Sequence, residues 1–368
     1  MLSGTLATVF SAVTLHAVYG HDDLRSRLAT SMHARRLPTA LLLTGAPGVG
    51  KQRLALWIAA GLQCEQGPGE PCGTCHSCHL AGNLSHPDIH WFFPIARPKG
   101  DEAKQVEEAE ELLGQALAAR RDQPLYARSD GMAAIFLPLV RVLHRRAQMR
   151  PAMGRSKVFV VGEADRLVPQ ASSQEAANAL LKVLEEPPPD TYFVLTTAEP
   201  ASLLPTIRSR LVTLRVRRLK AAELVRFLTE VPQPPLDASD ARRRADLAGG
   251  SIGAALALDT GRPDAAAAAQ ALLDAAVRGP EARFRFVLAL KPFGGRGDFT
   301  ETLAAAGELL RDRLAAQLRG PVAVGAPPAT GLLEAIREIE RARKLARGNG
   351  NPQLIAADLT RRLAERLA

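Results

Sequence analysis

The chain has 368 residues, 46% hydrophobic, 23% charged and only 4% aromatic, with a formal net charge of +9. That length exceeds one compact domain and points to two or three. No stretch approaches the roughly 20 apolar residues of a membrane span, and scarce aromatics argue against a base-stacking single-strand binder. The basic balance permits contact with nucleic acid without demonstrating it.

The mildly apolar opening, Met1 to Gly20, lacks the positive start of a secretory signal, since the first arginine is Arg25. It reads as ordinary fold or a short extension over Met1 to Ala17, and the chain as cytoplasmic with reduced thiols. Ala40 to Thr44 is an apolar run that predicts a buried strand, and Arg53 to Leu62 has helical character. Between them lies GAPGVGKQ, Gly45 to Gln52, so strand, glycine loop and helix supply the context of a Walker A motif. Gly45, Pro47, Gly48 and Gly50 let backbone amides turn toward phosphates at a helix N-terminus. Lys51 would reach the β- and γ-phosphates. Gln52 stands where the motif needs a Ser or Thr hydroxyl for magnesium.

All four cysteines follow within fifteen residues, Cys64, Cys72, Cys75 and Cys78, the last three spaced C-x2-C-x2-C. Four thiolates at that spacing can converge on zinc, and Gly67, Pro68, Gly69 and Gly73 supply the turns. A site closed by four protein ligands is structural, because catalytic zinc keeps a position open for water. Two disulfides or an iron–sulfur cluster are the alternatives. Residues from about 98 to 130 include an acidic helical stretch, Asp101 to Arg121, which reads as a solvated surface insertion.

Lys157 to Leu167, KVFVVGEADRL, is a strand ending in an acidic cluster, the form of a Walker B segment. Gly162 takes the position of its magnesium-binding Asp, leaving Glu163 and Asp165. With both magnesium ligands lost, efficient ATP hydrolysis and a catalytic Mg2+ are not expected; binding of phosphate, ATP or ADP without turnover stays open. Gln174 to Glu186 predicts a helix stopped by Pro187 to Pro189, and Tyr192 to Thr197 a buried strand. Leu203 to Arg210 predicts a short helix and Leu211 to Val216 another strand. Helical patterns at Leu219–Leu228, Asp240–Leu247 and 249–258 make a small lid, and 261–368 reads as a helical bundle.

NALLKVLEEPP (Asn178 to Pro188), TIRSR (Thr206 to Arg210), the degenerate phosphate loop and the four-cysteine module together resemble bacterial DNA polymerase III clamp-loader subunits of the AAA+ type. The opening Tyr19 to Leu28 and the C-terminal Asn349 to Leu359 carry the resemblance further along the chain. It implies an α/β AAA+ nucleotide-binding fold with a parallel, RecA-like sheet over 1–216, holding the zinc module at 64–78 and the helical insertion. A helical lid over 217–260 and an all-α collar over 261–368, which joins subunits in a ring, would complete it. Within the family, gamma/tau subunits keep both magnesium ligands and delta-prime subunits often have a degenerate site, so this chain is similar to delta-prime.

The implied partners are gamma/tau and delta subunits in a hetero-pentamer, with the sliding clamp and primer–template DNA reached through that complex and no membrane. The resemblance also implies that Arg210, in Ser209-Arg210-Leu211, is an arginine finger for ATP on a neighbour, with Arg208 as competitor. The family's Ser-Arg-Cys motif has lost its Cys here. Thr196 and Thr197 fall where the family places sensor 1. The rival readings are an ATP-hydrolysing gamma/tau-like subunit and, from another class, a zinc-containing sequence-specific DNA-binding protein. C2H2 recognition-helix spacing is absent.

Overall fold

Short apolar runs that stay hydrophobic at every position suit a parallel sheet covered on both faces. Three of them, β1 (Ala40–Thr44), β3 (Lys157–Val161) and β4 (Thr191–Thr197), line the middle of a five-stranded sheet whose edges are β2 (Ile89–Phe92) and β5 (Val212–Arg215). The structure is a computed structural model that describes residues 17–123, 133–167, 175–232, 235–257, 263–290, 296–319, 327–347 and 351–367. Strand order is β2-β3-β4-β1-β5, and every pairing is parallel. Leu42 sits opposite Leu195, and Val160 opposite Val194. This sheet bears out the expected α/β nucleotide-binding fold, with the glycine loop leaving β1 and the acidic cluster leaving β3.

Parallel strands need crossovers, and after α1 (Asp22–His33), which precedes β1, helices supply them: α2 (Lys51–Gln63), α3 (His76–Gly82), α4 (Glu102–Asp122), α5 (Leu137–Gln148), α6 (Glu175–Glu185) and α7 (Pro205–Arg208). Then come α8 (Ala221–Glu230), α9 (Ala238–Ala248) and α10 (Ile252–Ala257). Phe92, Phe159 and Phe193 stack across β2, β3 and β4, with ring centroids 6.2 and 5.3 Å apart. The strand expected at Leu211–Val216 is confined to 212–215, and the helix expected at Leu203–Arg210 to 205–208.

The acidic helix α4 departs from the solvated insertion expected of it. Ala109 and Leu113 are buried, and the Arg120 guanidinium lies over the rings of Trp91 and Phe93. Its acids face the arginines of α5: Arg141 pairs with Glu102, and Arg145 and Arg146 pair with Glu110. The charge pattern reflects helix-to-helix pairing on one side and aromatic cover on the other.

The described residues divide into two compact units at residue 255. The second unit holds α11 (Pro263–Arg278), α12 (Pro280–Ala289), α13 (Arg296–Arg319), α14 (Ala329–Arg347) and α15 (Pro352–Leu367). Its leucine stripes form its core, through Leu272, Leu303, Leu310, Leu359 and Leu363.

In the first unit, the turn into β3 is anchored by a buried acid. Asp88 accepts the backbone N–H groups of Ala152 (2.5 Å), Met153 (2.9 Å) and Gly154 (2.6 Å). Burial alone would raise its pKa, but these three bonds outweigh it and hold the carboxyl below the usual range. A depressed folded-state pKa gives stability that is full above the unfolded value, about 3.9, and is lost as pH falls through the folded value. Asp88→Ala is expected to cost about 2–4 kcal/mol at pH 7, and less at pH 3, where the native carboxyl also begins to protonate. Urea titrations at the two pH values check this; an equal loss at both would refute the electrostatic part.

Candidate functional site

β1 ends at Thr44 and α2 starts at Lys51, so Gly45 to Gly50 forms the phosphate-type loop between strand and helix. Gly50 caps α2 in the left-handed region, φ 93°. Lys51 is buried, and its Nζ donates to the loop's own carbonyls, Gly45 O at 2.9 Å and Ala46 O at 2.8 Å. His21 Nε2 lies 2.9 Å from the Val49 carbonyl, which requires a proton on that nitrogen.

The start of α10 closes on the tip of this loop. Ser251 Oγ donates to Pro47 O at 2.9 Å, and the Gly253 N–H to Gly48 O at 3.0 Å. Gly48 has φ 73°, and a Cβ there would come 2.8 Å from Gly253 Cα. The backbones meet this closely because both positions are glycine.

Gln52 and Gly162, the two residues expected to depart from the magnesium-binding pattern, form one packed cluster. Gln52 projects from the first turn of α2 toward Gly162, the residue after β3. A Cβ at 162 would fall 2.7 Å from Gln52 Cδ, so the amide occupies the space that a larger residue there would claim. Trp91 Nε1 donates to Gln52 Oε1 at 3.1 Å, which fixes the amide in that place. The Gly162 N–H is held in turn by Phe92 O at 2.7 Å.

The acids after Gly162 are tied to the end of β4. Glu163 has φ 51°, its N–H donates to Thr196 Oγ1 at 3.2 Å, and its carboxylate pairs with Arg166 at 3.3 Å. Thr197 Oγ1 donates to Asp165 Oδ1 at 2.7 Å and accepts the Glu199 N–H at 2.9 Å. Thr196 and Thr197 are both buried. The structure thus gathers Gln52, Glu163, Asp165, Thr196 and Thr197 at the C-terminal edge of the sheet, where α/β folds bind ligands.

Arg210 stands apart from this cluster's hydrogen bonds, two residues beyond α7. Its Nη2 pairs with Glu185 Oε1 at 2.6 Å, and Nη1 donates to Thr206 O at 2.9 Å and Ser209 Oγ at 3.4 Å. Arg208 and Arg210 are both exposed.

The cysteines converge. Cys64 ends α2, Cys75 caps α3 and Cys78 lies inside α3, so two helix ends bring the sulfurs together. The four Sγ atoms lie within 4.8 Å of one another, Cys72 and Cys78 at 3.9 Å. A tetrahedral site with Zn–S near 2.3 Å needs sulfurs about 3.8 Å apart. All four are free thiols, which excludes the disulfide alternative in this structure. The Thr74 hydroxyl, then backbone N–H groups, pull the Cys72 pKa down to about 6, while burial pushes Cys64 and Cys78 up. Buried thiols with raised pKa values ionise when a cation shares the site. The donor set and spacing fit, and the cluster could hold a zinc ion.

Glu185, which pairs with Arg210, lies inside the Asn178–Pro188 motif; three residues beyond the sequence motifs belong to these sites, Trp91, which fixes Gln52, and Ser251 and Gly253, which close on the loop. The GGSIG run at 249–253 was the one local signal among them, marking a tight turn before a short helix.

A family profile described as "DNA polymerase III, delta subunit" matches residues 20–220. Among curated relatives, the delta-prime subunit of DNA polymerase III from Yersinia pestis is 35% identical over 172 residues, covering 46% of this chain and 39% of the relative. The tau/gamma subunit from Haemophilus influenzae is 29% identical over 227 residues, covering 61% of this chain and 27% of the relative. The chain therefore spans well under half the length of these relatives. A gamma subunit-related protein of Thermotoga maritima superposes with a TM-score of 0.42 at 15% identity, covering 94% of this chain and 98% of the other.

Proposed function

The chain belongs to the DNA polymerase III delta subunit family, and from that premise we propose that it is a delta-prime-type subunit of the clamp loader. In this reading it joins gamma/tau and delta subunits in a five-membered cytoplasmic assembly that loads the sliding clamp on primed DNA. Its own nucleotide site is inactive, and it supplies Arg210 to ATP bound by a neighbour. The observation that carries the reading is the Gln52 amide packed over Gly162 and held by Trp91. With neither a hydroxyl at 52 nor a carboxylate at 162, this chain offers no ligand pair for magnesium where a hydrolysing subunit needs one. The turning of Lys51 onto the loop's own carbonyls and the closure of Ser251 on Pro47 add support.

Each part of the chain then has a mechanical or electrostatic task. Residues 1–216 form the nucleotide-type domain, 217–260 the lid and 261–368 the collar that joins the ring. A zinc ion held by Cys64, Cys72, Cys75 and Cys78 would supply positive charge that keeps four thiolates together and ties the end of α2 to α3. Arg210 offers a guanidinium that stabilises charge building on the transferred phosphoryl group as the bond to the β–γ bridging oxygen breaks.

The test is the ATPase of the complex reconstituted with its gamma/tau and delta partners. Arg210→Ala is expected to leave the fold and assembly intact and to lower turnover clearly; unchanged turnover would overturn the finger. The isolated chain is expected to hydrolyse no ATP above background, with or without DNA. The longer tau/gamma alignment favours a second reading, an ATP-hydrolysing gamma/tau-like subunit. Magnesium-dependent turnover by the isolated chain, lost on Lys51→Ala, would establish it instead.

A further inference from the structure

We propose that Glu185 is a positioning residue for Arg210, an inference that rests on the arginine-finger reading above. Glu185 is the last residue of α6, and Pro187 to Pro189 prevent the helix from running on. A carboxylate at a helix C-terminus faces the partial negative charge of the last carbonyls and is disfavoured without a cation beside it. Arg210 is that cation, at 2.6 Å, reached from the turn that follows α7. Most other ion pairs of the described surface join residues three or four apart on one helix; this one links the end of α6 to the turn after α7.

The pair orders a side chain that would otherwise roam. Arg210 follows a helix of only four residues and has four side-chain torsions to settle. Thr206 O and Ser209 Oγ take N–H groups of Nη1, and Glu185 Oε1 forms an ion pair with Nη2. A guanidinium carries five N–H groups, and among the described residues only those of Nη1 are hydrogen-bonded, which leaves the Nε and Nη2 edge to meet a phosphate oxygen. Arg210 and Glu185 are 36% and 46% exposed at their side chains, so the head faces solvent while its direction is set. A half-solvated pair of this kind contributes modestly. It biases the arginine toward one orientation and yields to a stronger anion.

The measurement is kcat and KM for ATP of the reconstituted complex carrying Glu185→Ala, Glu185→Gln, Arg210→Ala or Glu185→Ala with Arg210→Ala. Glu185→Ala is expected to lower kcat about three- to fivefold with KM unchanged, because the neighbour still binds its nucleotide. Glu185→Gln, which keeps an acceptor oxygen, is expected to recover part of that loss. The double variant is expected to match Arg210→Ala, because a positioning residue has nothing to act through once the arginine is gone. If Arg210→Ala impairs turnover while Glu185→Ala matches or exceeds the wild type, the positioning role is overturned and the finger stands. A double variant worse than Arg210→Ala overturns it as well, by giving Glu185 a separate task. Unimpaired turnover in Arg210→Ala overturns the finger reading, and this inference falls with it. Should Glu185→Ala fail to assemble, the near-isosteric Glu185→Gln carries the test, with wild-type kcat as the overturning result.

Discussion

Gly162→Asp is expected to destabilise the first unit by roughly 2–4 kcal/mol, since overpacking a filled site typically costs 1–3 kcal/mol and the new carboxylate would face the Gln52 carbonyl oxygen. A Cβ at 162 already falls 2.7 Å from Gln52 Cδ, and the position is buried. For a unit of this size that loss lowers the melting temperature by about 5–10 °C. Gln52→Thr alone is expected to cost less, about 1–2 kcal/mol, by leaving the Trp91 indole N–H without this acceptor. Because both residues claim the same space, the double variant is expected to be more stable than the sum of the two losses, a positive coupling in a double-mutant cycle. Thermal melts of the four proteins decide the matter. Additive losses, or a Gly162→Asp protein that melts like the wild type, would dissolve the coupling. The pair would then be two unrelated departures from the magnesium-binding pattern.

Removing zinc is the second large effect expected. A ligand bound only by the folded state stabilises it by about 4 kcal/mol when present at a thousand times its Kd. Stripping it with a strong chelator should lower the melting temperature by about 10 °C, on the same scale of about 2–4 °C per kcal/mol. Cys78→Ser should mimic the chelator, because that thiol is buried inside α3 and lies 3.9 Å from Cys72. Acidification should do likewise, since protons compete for the thiolates. Metal analysis of the purified protein, before and after chelation, gives the stoichiometry. One zinc per chain with a chelator-sensitive melt is the expected result. A metal-free chain with an unchanged melt would remove zinc from the account, and iron with visible absorbance would point to a cluster.

The features legible in the sequence share one property: their parts are close together along the chain. β1, the glycine loop and α2 are contiguous, so an apolar run, a Gly-Pro-Gly turn and a helix former suffice to identify them. The cysteines fall between Cys64 and Cys78, and their spacing announces convergence before any coordinates are known. β3, β4 and α6 are strongly patterned and ended by Gly162 or prolines, and the structure has them within a residue or two of expectation. β2 is harder to see because it is four residues long between Pro87 and Pro94, too short for a period to emerge. The acidic helix misleads for a different reason. Its charges suggest water, but the partners that neutralise them, Arg141, Arg145 and Arg146, belong to another helix.

By itself, then, the sequence determined four of the five sheet-forming runs, the phosphate-type loop, the clustering of four thiols and the departure of Gln52 and Gly162 from the magnesium-binding pattern. Each of these depends on residue identity at a short spacing. Tertiary structure alone decided that these two positions interlock, with Gln52 over Gly162 and Trp91, 39 residues from Gln52, holding it. It also decided that Ser251 closes on Pro47 across 204 residues of chain, and that Glu185 faces Arg210. Local pattern specifies which way a side chain leaves its own helix or strand. What it meets there depends on how the sheet orders its strands and how the helices cross them, and no short window of residues carries that information.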